Sequence, residues 1–194
     1  MTNIDTIYDR RFYAENLANK WAYDALAEAI HCVIPRGRVL DVGCGCGLVL
    51  NRLHELDYPV FGLEGSAAGI ASAPDVVRPT IRQVDLTGPW PDIVAQTSIC
   101  IEVAEHLPHT AANPLVQQLT ERSEQCIIWS AAPPGQGGTD HVNEQPPDYW
   151  LSKFAAVRWR QEEIKTSGLR TLMRASLAQH HGYANNFYVL KRGV

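Results

Sequence analysis

The sequence lacks several features that mark specialised classes of protein. It has no run of about 18 apolar residues, so we expect no membrane-spanning segment. It has no basic excess either, because 17 Lys and Arg stand against 21 Asp and Glu, for a formal net charge of −4. Nucleic-acid-binding surfaces are usually basic, so we expect nucleic acid to be an unsuitable partner. The polar, partly acidic N-terminal stretch does not fit a secretory signal.

Cysteine is scarce as well. The five cysteines are an odd number without the spacing of a disulfide framework, which predicts a reducing, cytoplasmic location. Cys44 and Cys46 form a pair inside a glycine-rich turn, as small residues tolerated there or as part of a metal or redox site. Repeats and low-complexity runs are absent. A length of 194 residues predicts that residues 1–194 form one domain, and we expect a monomer or a homodimer.

Apolar stretches alternate with helical patterns along most of the chain. The strands are apolar throughout, as in a parallel sheet covered on both faces, and this predicts an α/β fold with a last antiparallel strand. Predicted strands are 38–42, 58–65, 80–86, 98–103, 125–132 and 185–192, and predicted helices are 17–33, 47–56, 66–73, 108–123, 147–157 and 168–181. Residues 158–165 are ambiguous.

Two segments outside this pattern suggest function. Residues 133–148 are rich in Gly and Pro, and long loops inside compact domains are usually functional or disordered. Because His141, Asn143 and Glu144 lie in this loop, we interpret it as an active-site loop. Residues 1–35 are expected to form an N-terminal helical lid, in which Tyr8, Phe12 and Tyr13 are candidate covering residues. Trp129, Tyr149 and Trp150 could line an acceptor pocket or belong to the core.

Three glycines, Gly43, Gly45 and Gly47, separate a predicted strand from a predicted helix. Closely spaced glycines let a ligand approach the backbone, and the helix N-terminus offers free N–H groups. Dinucleotide-binding proteins place a further glycine where this chain has Leu48. Asp41, just before the turn, suits a ligand with an ammonium group better than it suits a pyrophosphate.

The stretch LDVGCGCG, residues 40–47, resembles the first motif of the class I S-adenosylmethionine-dependent methyltransferases. Glu64 matches the family's acid for the two ribose hydroxyls, and Asp85 with Leu86 matches its pair for the adenine. The resemblance implies a Rossmann-like fold with a mainly parallel seven-stranded sheet and helices on both faces. It implies S-adenosylmethionine as cofactor and S-adenosylhomocysteine as product. The implied cofactor-binding residues are Asp41, Gly43, Gly45, Gly47, Glu64, Asp85, Leu86 and Glu102.

The fourth predicted strand runs into the sequence EVAEHLPH, residues 102–109. If this segment is helical, offsets of three and four place Glu102, Glu105 and His106 on one side. His141, in the loop after the fifth strand, should reach the same edge of the sheet. Such a set suits Mn, Fe, Co or Zn, and less clearly Mg.

The same pattern is similar to one in the methyltransferases of small-RNA 3′ ends and of ubiquinone biosynthesis. This similarity implies a metal at Glu102, Glu105, His106 and His141. Without a metal, His106, His141 or Glu105 would act in catalysis directly, with a histidine as general base.

An acidic chain without a large insertion predicts a small polar acceptor, such as a sugar, a phenol, a carboxylate or a natural-product intermediate, methylated preferentially on oxygen. Two other functions stay open. One is a cofactor-binding partner or regulatory subunit without transfer activity, and the other is an enzyme that uses this cofactor for different chemistry.

Overall fold

The structure, a computed structural model, describes residues 4–176 and 181–193. Its strands are β1 Val39–Val42, β2 Val60–Glu64, β3 Ile81–Gln83, β4 Ala95–Ile101, β5 Ser123–Ser130, β6 Trp159–Gln161 and β7 Tyr188–Arg192. They form one seven-stranded sheet in the order β3-β2-β1-β4-β5-β7-β6. Strand β7 runs antiparallel to β5 and β6, and the other pairings are parallel. The predicted mainly parallel sheet with a last antiparallel strand is confirmed.

The helices are α1 Ile4–Ile7, α2 Arg10–Ala18, α3 Lys20–His31, α4 Leu48–Glu55, α5 Ala67–Ser72, α6 Ala112–Glu121, α7 Pro147–Ala156, α8 Glu163–Ser176 and α9 His181–Ala184. The ambiguous residues 158–165 contain β6 and the start of α8. Residues 1–3 of the predicted lid and residues 177–180 of the predicted helix 168–181 lie outside the described part. No helix in that part is long and apolar enough to cross a membrane.

Apolar side chains fill the space on both faces of the sheet. Neighbouring strand residues enter different clusters, as Ile127 and Ile128 do in β5. Residues of α3, α4 and α8 belong to one cluster, and residues of α6 and α7 belong to the other. Trp129 and Trp150 are almost fully buried in the second cluster, so both belong to the core. This two-sided burial explains the apolar runs of the central strands, such as residues 126–129 of β5.

The strand order reverses between β1 and β4, which lie side by side. In open α/β sheets such a reversal creates a crevice at the carboxyl ends of the strands. Gly43 leaves β1 there with a left-handed φ of +73°, and a Cβ at this position would lie 2.5 Å from Cγ2 of Val103. Only glycine fits this exit from the strand without displacing its neighbour.

Candidate active site

A cavity of about 1010 Å³ lies at the carboxyl ends of the parallel strands. The site residues predicted from the sequence line it with one exception: the lining ones are Asp41, Gly43, Gly45, Glu64, Asp85, Leu86, Glu102, Glu105, His106 and His141. The exception is Gly47, which precedes α4 with a φ of +68° and packs beside Ile81. The wall thus joins residues from the ends of four strands with residues of the loop 133–148, His141 among them.

Glu64 connects the glycine turn to the loop after β2. Its Oε2 atom accepts a hydrogen bond of 2.7 Å from the backbone N–H of Gly45, and its Oε1 atom accepts one of 2.8 Å from that of Ser66. The carboxylate is buried at the cavity wall. It is therefore held in a fixed orientation, as the recognition of two neighbouring hydroxyl groups requires.

Asp41 lies on β1 beneath the glycine turn and is 5% exposed. Burial, and then the negative charge of Glu64, raise the pKa of Asp41 to about 7. Two buried carboxylates so close together favour a cation between them. The surroundings of Asp41 thus suit the ammonium group that the sequence predicts for the ligand.

Asp85 and Leu86 follow β3 at the other end of the cavity. The backbone N–H and the hydroxyl of Thr87 donate hydrogen bonds of 2.9 and 2.7 Å to Oδ1 of Asp85, and they lower its pKa. Leu86 is buried beside it. An ionised acceptor next to an apolar side chain matches the amino edge and the flat face of an adenine.

Glu102 takes a different position from the one that a helical segment would give it. The first turn after β4 is a 3₁₀ turn at Ala104–His106, and Glu102 precedes it with a left-handed φ of +52°. Its Oε1 atom accepts a hydrogen bond from the Ser130 hydroxyl at 2.8 Å, and its Oε2 atom accepts one from Gln136 at 2.7 Å. Glu102 therefore connects β4 to the end of β5 and to the loop 133–148.

Glu105, His106 and His141 do converge: their ligand atoms all lie within 4.8 Å of one another. Glu105 is fully buried, and neither carboxylate oxygen has a hydrogen-bond partner of ordinary geometry. Burial, and then the charge of Glu102, raise the pKa of Glu105 well above its usual range, although the backbone N–H groups of Glu105 and Ala132 oppose that shift. Burial, and then His141, lower the pKa of His106, which favours a neutral imidazole.

Tyr8, between α1 and α2, lines the same cavity and was not predicted to bond a site residue. Its hydroxyl lies 2.8 Å from Nδ1 of His106 and donates a 3.3 Å bond to the carbonyl of Thr139. The Ser66 hydroxyl donates to the Tyr8 carbonyl at 2.9 Å. Tyr8 and His106 are 98 positions apart in the sequence, so no local spacing could have paired them.

The charge of the cavity wall is one-sided. Among the described residues that line it are five carboxylates, namely Asp41, Glu64, Asp85, Glu102 and Glu105, and no Lys or Arg. Its nitrogen-bearing side chains that can ionise are His106 and His141. Such a wall favours ligands with a net positive or zero charge over ligands with a net negative charge.

Neither a protein-family model nor a curated protein matches the sequence. Among solved structures, the DhpI complex with S-adenosylhomocysteine (SAH) is 18% identical with a TM-score of 0.61, covering 93% of this chain and 86% of that one. Magnesium protoporphyrin IX methyltransferase ChlM from Synechocystis PCC 6803, with bound SAH, is 18% identical with a TM-score of 0.60, covering 75% of each chain. The [4+2]-cyclase SpnF is 15% identical with a TM-score of 0.57, covering 88% of this chain and 82% of that one.

These likenesses agree with the strand order and with the glycine turn after β1. At these identities they establish architecture, and they confirm the fold that the motif LDVGCGCG implies. The chain has the Rossmann-like fold of the class I methyltransferases.

Proposed function

We propose that this protein is an S-adenosylmethionine-dependent methyltransferase that acts on a small polar acceptor. The observation that carries this proposal is that Asp41, Glu64, Asp85 and Leu86 all line the same cavity. These residues present acceptors for an ammonium group, a ribose diol and an adenine edge in the order of the strands β1, β2 and β3. The fold neighbours DhpI and ChlM hold SAH.

The chain's part in the reaction is to bind and to align. S-adenosylmethionine, when bound, supplies a methyl group already activated on a sulfonium. Glu64 and Asp85 would fix the nucleoside, and Asp41 would receive the amino group directly or through water. The acceptor then has to stand in line with the methyl group while water is excluded. We assign the covering role to the N-terminal segment 1–35 and to the loop 133–148, within one domain of residues 1–194.

The acceptor follows from the charge of the wall. Five carboxylates and no lining Lys or Arg in the described part disfavour a phosphate or carboxylate group on the acceptor. This argues against nucleic acids and against carboxylate acceptors. A neutral or cationic small molecule with a hydroxyl group, such as a sugar, a phenol or a natural-product intermediate, suits the site best.

The acceptor hydroxyl has to lose its proton, and Glu105, His106 and His141 are the candidates for that task. A buried carboxylate whose oxygens have no hydrogen-bond partner of ordinary geometry, beside two imidazoles, fits a divalent cation of the Mn, Fe, Co or Zn type. When bound, such an ion would orient two acceptor oxygens and lower the pKa of one. Glu102, whose oxygens bond Ser130 and Gln136, lies outside the converging group and would have to move to become a fourth ligand.

The cofactor assignment is tested by calorimetry with SAH. Glu64→Ala removes a charged acceptor from two hydroxyls and should weaken binding on the order of 2–3 kcal/mol. Because Glu64 also holds Gly45 and Ser66, Glu64→Gln provides a milder second variant. Glu121→Ala on the exposed surface of α6 is the matched control. Unchanged affinity in a folded Glu64→Ala protein would remove the assignment.

The metal assignment is tested by titrating chelator-treated protein with Mn²⁺, Co²⁺ and Zn²⁺. Binding should be saturable in the wild type and lost in Glu105→Gln. If the histidines act as a base instead, the chelated enzyme should keep its rate, and His106→Ala or His141→Ala should lose about 10²–10⁴-fold with any metal present. If the wild-type protein binds no ion, the metal hypothesis is excluded and a histidine acting as general base remains.

The fold neighbour SpnF supports a second candidate function, in which the enzyme catalyses a reaction other than methyl transfer. SpnF is described as a [4+2]-cyclase, so the fold also serves a reaction of another class. Mass spectrometry separates the two functions. A methyltransferase forms SAH and a methylated acceptor in equal amounts, whereas an enzyme of the second kind changes its substrate without adding a methyl group. A regulatory subunit would bind SAH and do neither.

A further inference from the structure

Glu144 organises the loop 133–148, although no sequence motif assigns it a role. Its Oε2 atom accepts a hydrogen bond from the backbone N–H of Gly135, and its Oε1 atom accepts one from that of Gly137, both at 2.7 Å. Oε1 also lies 2.8 Å from Nδ1 of His141. One carboxylate therefore ties three points of the loop together.

The loop backbone is shaped around this carboxylate. Gly135 and Gly137 have left-handed φ angles of +87° and +69°, and such turns direct backbone N–H groups toward a common anion. Each carboxylate oxygen faces an N–H donor, so Glu144 acts at both oxygens as an acceptor, as an ionised carboxylate does.

An acceptor beside Nδ1 decides which nitrogen of His141 carries the proton. Because Glu144 can only accept, Nδ1 of a neutral His141 has to be the protonated nitrogen. Its Nε2 atom then keeps a lone pair. The same arrangement orients histidines that bind metals, through a carboxylate on the far nitrogen.

The ring is held from other directions too. The backbone N–H groups of Val142 and Asn143 donate to the carbonyl oxygen of Glu105 at 2.9 and 3.0 Å, which fixes the chain next to His141. A Cβ added at Gly138 would collide with Nε2 of His141, so the ring needs a glycine at this position. The ring centroid of His141 lies 4.9 Å from that of His106.

We propose that Glu144 is a positioning residue that holds His141 in the Nδ1–H tautomer, with the Nε2 lone pair available at the cavity beside Glu105 and His106. The proposal rests on the proposed function only in the use of this lone pair. A cation ligand and a general base both need it, so the tautomer is required in either case.

The tautomer can be measured without an acceptor. In protein labelled with ¹⁵N-histidine, at about pH 8.5 where imidazole is neutral, long-range ¹H–¹⁵N correlations show which ring nitrogen carries the proton. His141→Gln identifies the His141 signals by their loss. We expect a protonated Nδ1 and a free Nε2 in the wild type. Glu144→Ala removes the acceptor beside Nδ1 and should shift the population toward Nε2–H.

Asp140→Asn is the matched control. It removes an acid of the same loop that is not a hydrogen-bond partner of His141 in the part of the chain described, so the tautomer should persist. A protonated Nε2 in the wild type would overturn the proposal even if Glu144→Ala fails to fold. A folded Glu144→Ala protein with an unchanged tautomer would overturn it as well.

A second readout follows if Co²⁺ binds the wild type. Glu144→Ala should then weaken Co²⁺ binding about 10–100-fold, as expected for the loss of a carboxylate that orients a ligand histidine. Equal Co²⁺ affinity in the two folded proteins would contradict the positioning role. Failure of the proposed function is distinguishable, because it shows as absent SAH binding while the tautomer measurement stands by itself.

Discussion

Individual carboxylates give the candidate site its chemical character, because several of them are buried next to one another. Asp41 faces the charge of Glu64, and Glu105 faces that of Glu102. Without a cationic ligand, each arrangement costs free energy, since burial penalises the charged form. These residues are thus placed for binding at the expense of the stability of the ligand-free protein.

Asp41 makes this cost measurable through pH. An aspartate in the unfolded chain titrates near pH 3.9, whereas the pKa of Asp41 in the folded protein is about 7. The folded state therefore retains a proton that the unfolded state loses, so this group makes stability fall as the pH rises from about 4 to about 7. At about pH 8, Asp41→Asn should have the larger free energy of unfolding, by up to about 4 kcal/mol.

Urea denaturation of the ligand-free protein at several pH values measures this difference. The exposed Asp92→Asn protein is the control and should follow the wild type at every pH. A folded Asp41→Asn protein that is less stable than the wild type at about pH 8 would show that the carboxylate is stabilised by its surroundings.

At the scale of elements, the turn between β1 and α4 depends on backbone shape. Gly43→Ala places a Cβ in a left-handed conformation and against Val103, so we expect a loss of at least about 2 kcal/mol in unfolding free energy. Gly168→Ala is the matched substitution, inside α8 with open space around it, and should gain about 0.5–1 kcal/mol. Thermal denaturation of both variants measures these changes in stability. Equal changes in the two variants would contradict the role of Gly43 in the turn.

The N-terminal helices α1 and α2 are connected to the cavity by Tyr8. Tyr8→Phe removes the hydroxyl that bonds His106 and Thr139. We therefore expect faster amide-proton exchange in α1 and α2. SAH should dissociate roughly fivefold faster, because the lost hydrogen bonding is worth about 1 kcal/mol of binding free energy. Tyr58→Phe removes a similar tyrosine–histidine bond, of 3.0 Å to His31, at residues that do not line the cavity. If both variants release SAH at the wild-type rate, the Tyr8 hydroxyl does not hold α1 and α2 over the bound ligand.

For the whole molecule, two apolar clusters on opposite faces of the sheet hold the strands in place, and the crevice lies at their carboxyl ends.

A ligand that binds only the folded state raises the free energy of unfolding by about 2.7 kcal/mol at 100 times its Kd. For a chain of this size, SAH should thus raise the Tm by roughly 5–10 °C. NAD should leave it unchanged, because Leu48 replaces the dinucleotide glycine and no described lining Lys or Arg meets a pyrophosphate. A shift with NAD alone would reverse the cofactor assignment.

The sequence by itself determined the types of the elements and the edge of the sheet where ligand-binding residues gather. Apolar periodicity and closely spaced glycines are local signals, and parallel strands bring their carboxyl ends together whatever the details of packing. Asp41, Glu64 and Asp85 could therefore be assigned to one crevice from their places at or near the carboxyl ends of β1, β2 and β3.

The tertiary structure alone decided which of those residues meet. Glu102 interacts with Glu105 through its charge, yet the ligand atoms that converge are those of Glu105, His106 and His141. The left-handed backbone of Glu102 and its bonds to Ser130 and Gln136 hold its carboxylate outside that group. The three residues of β6 form a strand by pairing with β7, which lies far along the chain. The partnership of Tyr8 with His106 depends, likewise, on how distant segments pack. Local sequence carries the propensity of a segment, but hydrogen bonds between distant residues exist only once the chain has folded around them.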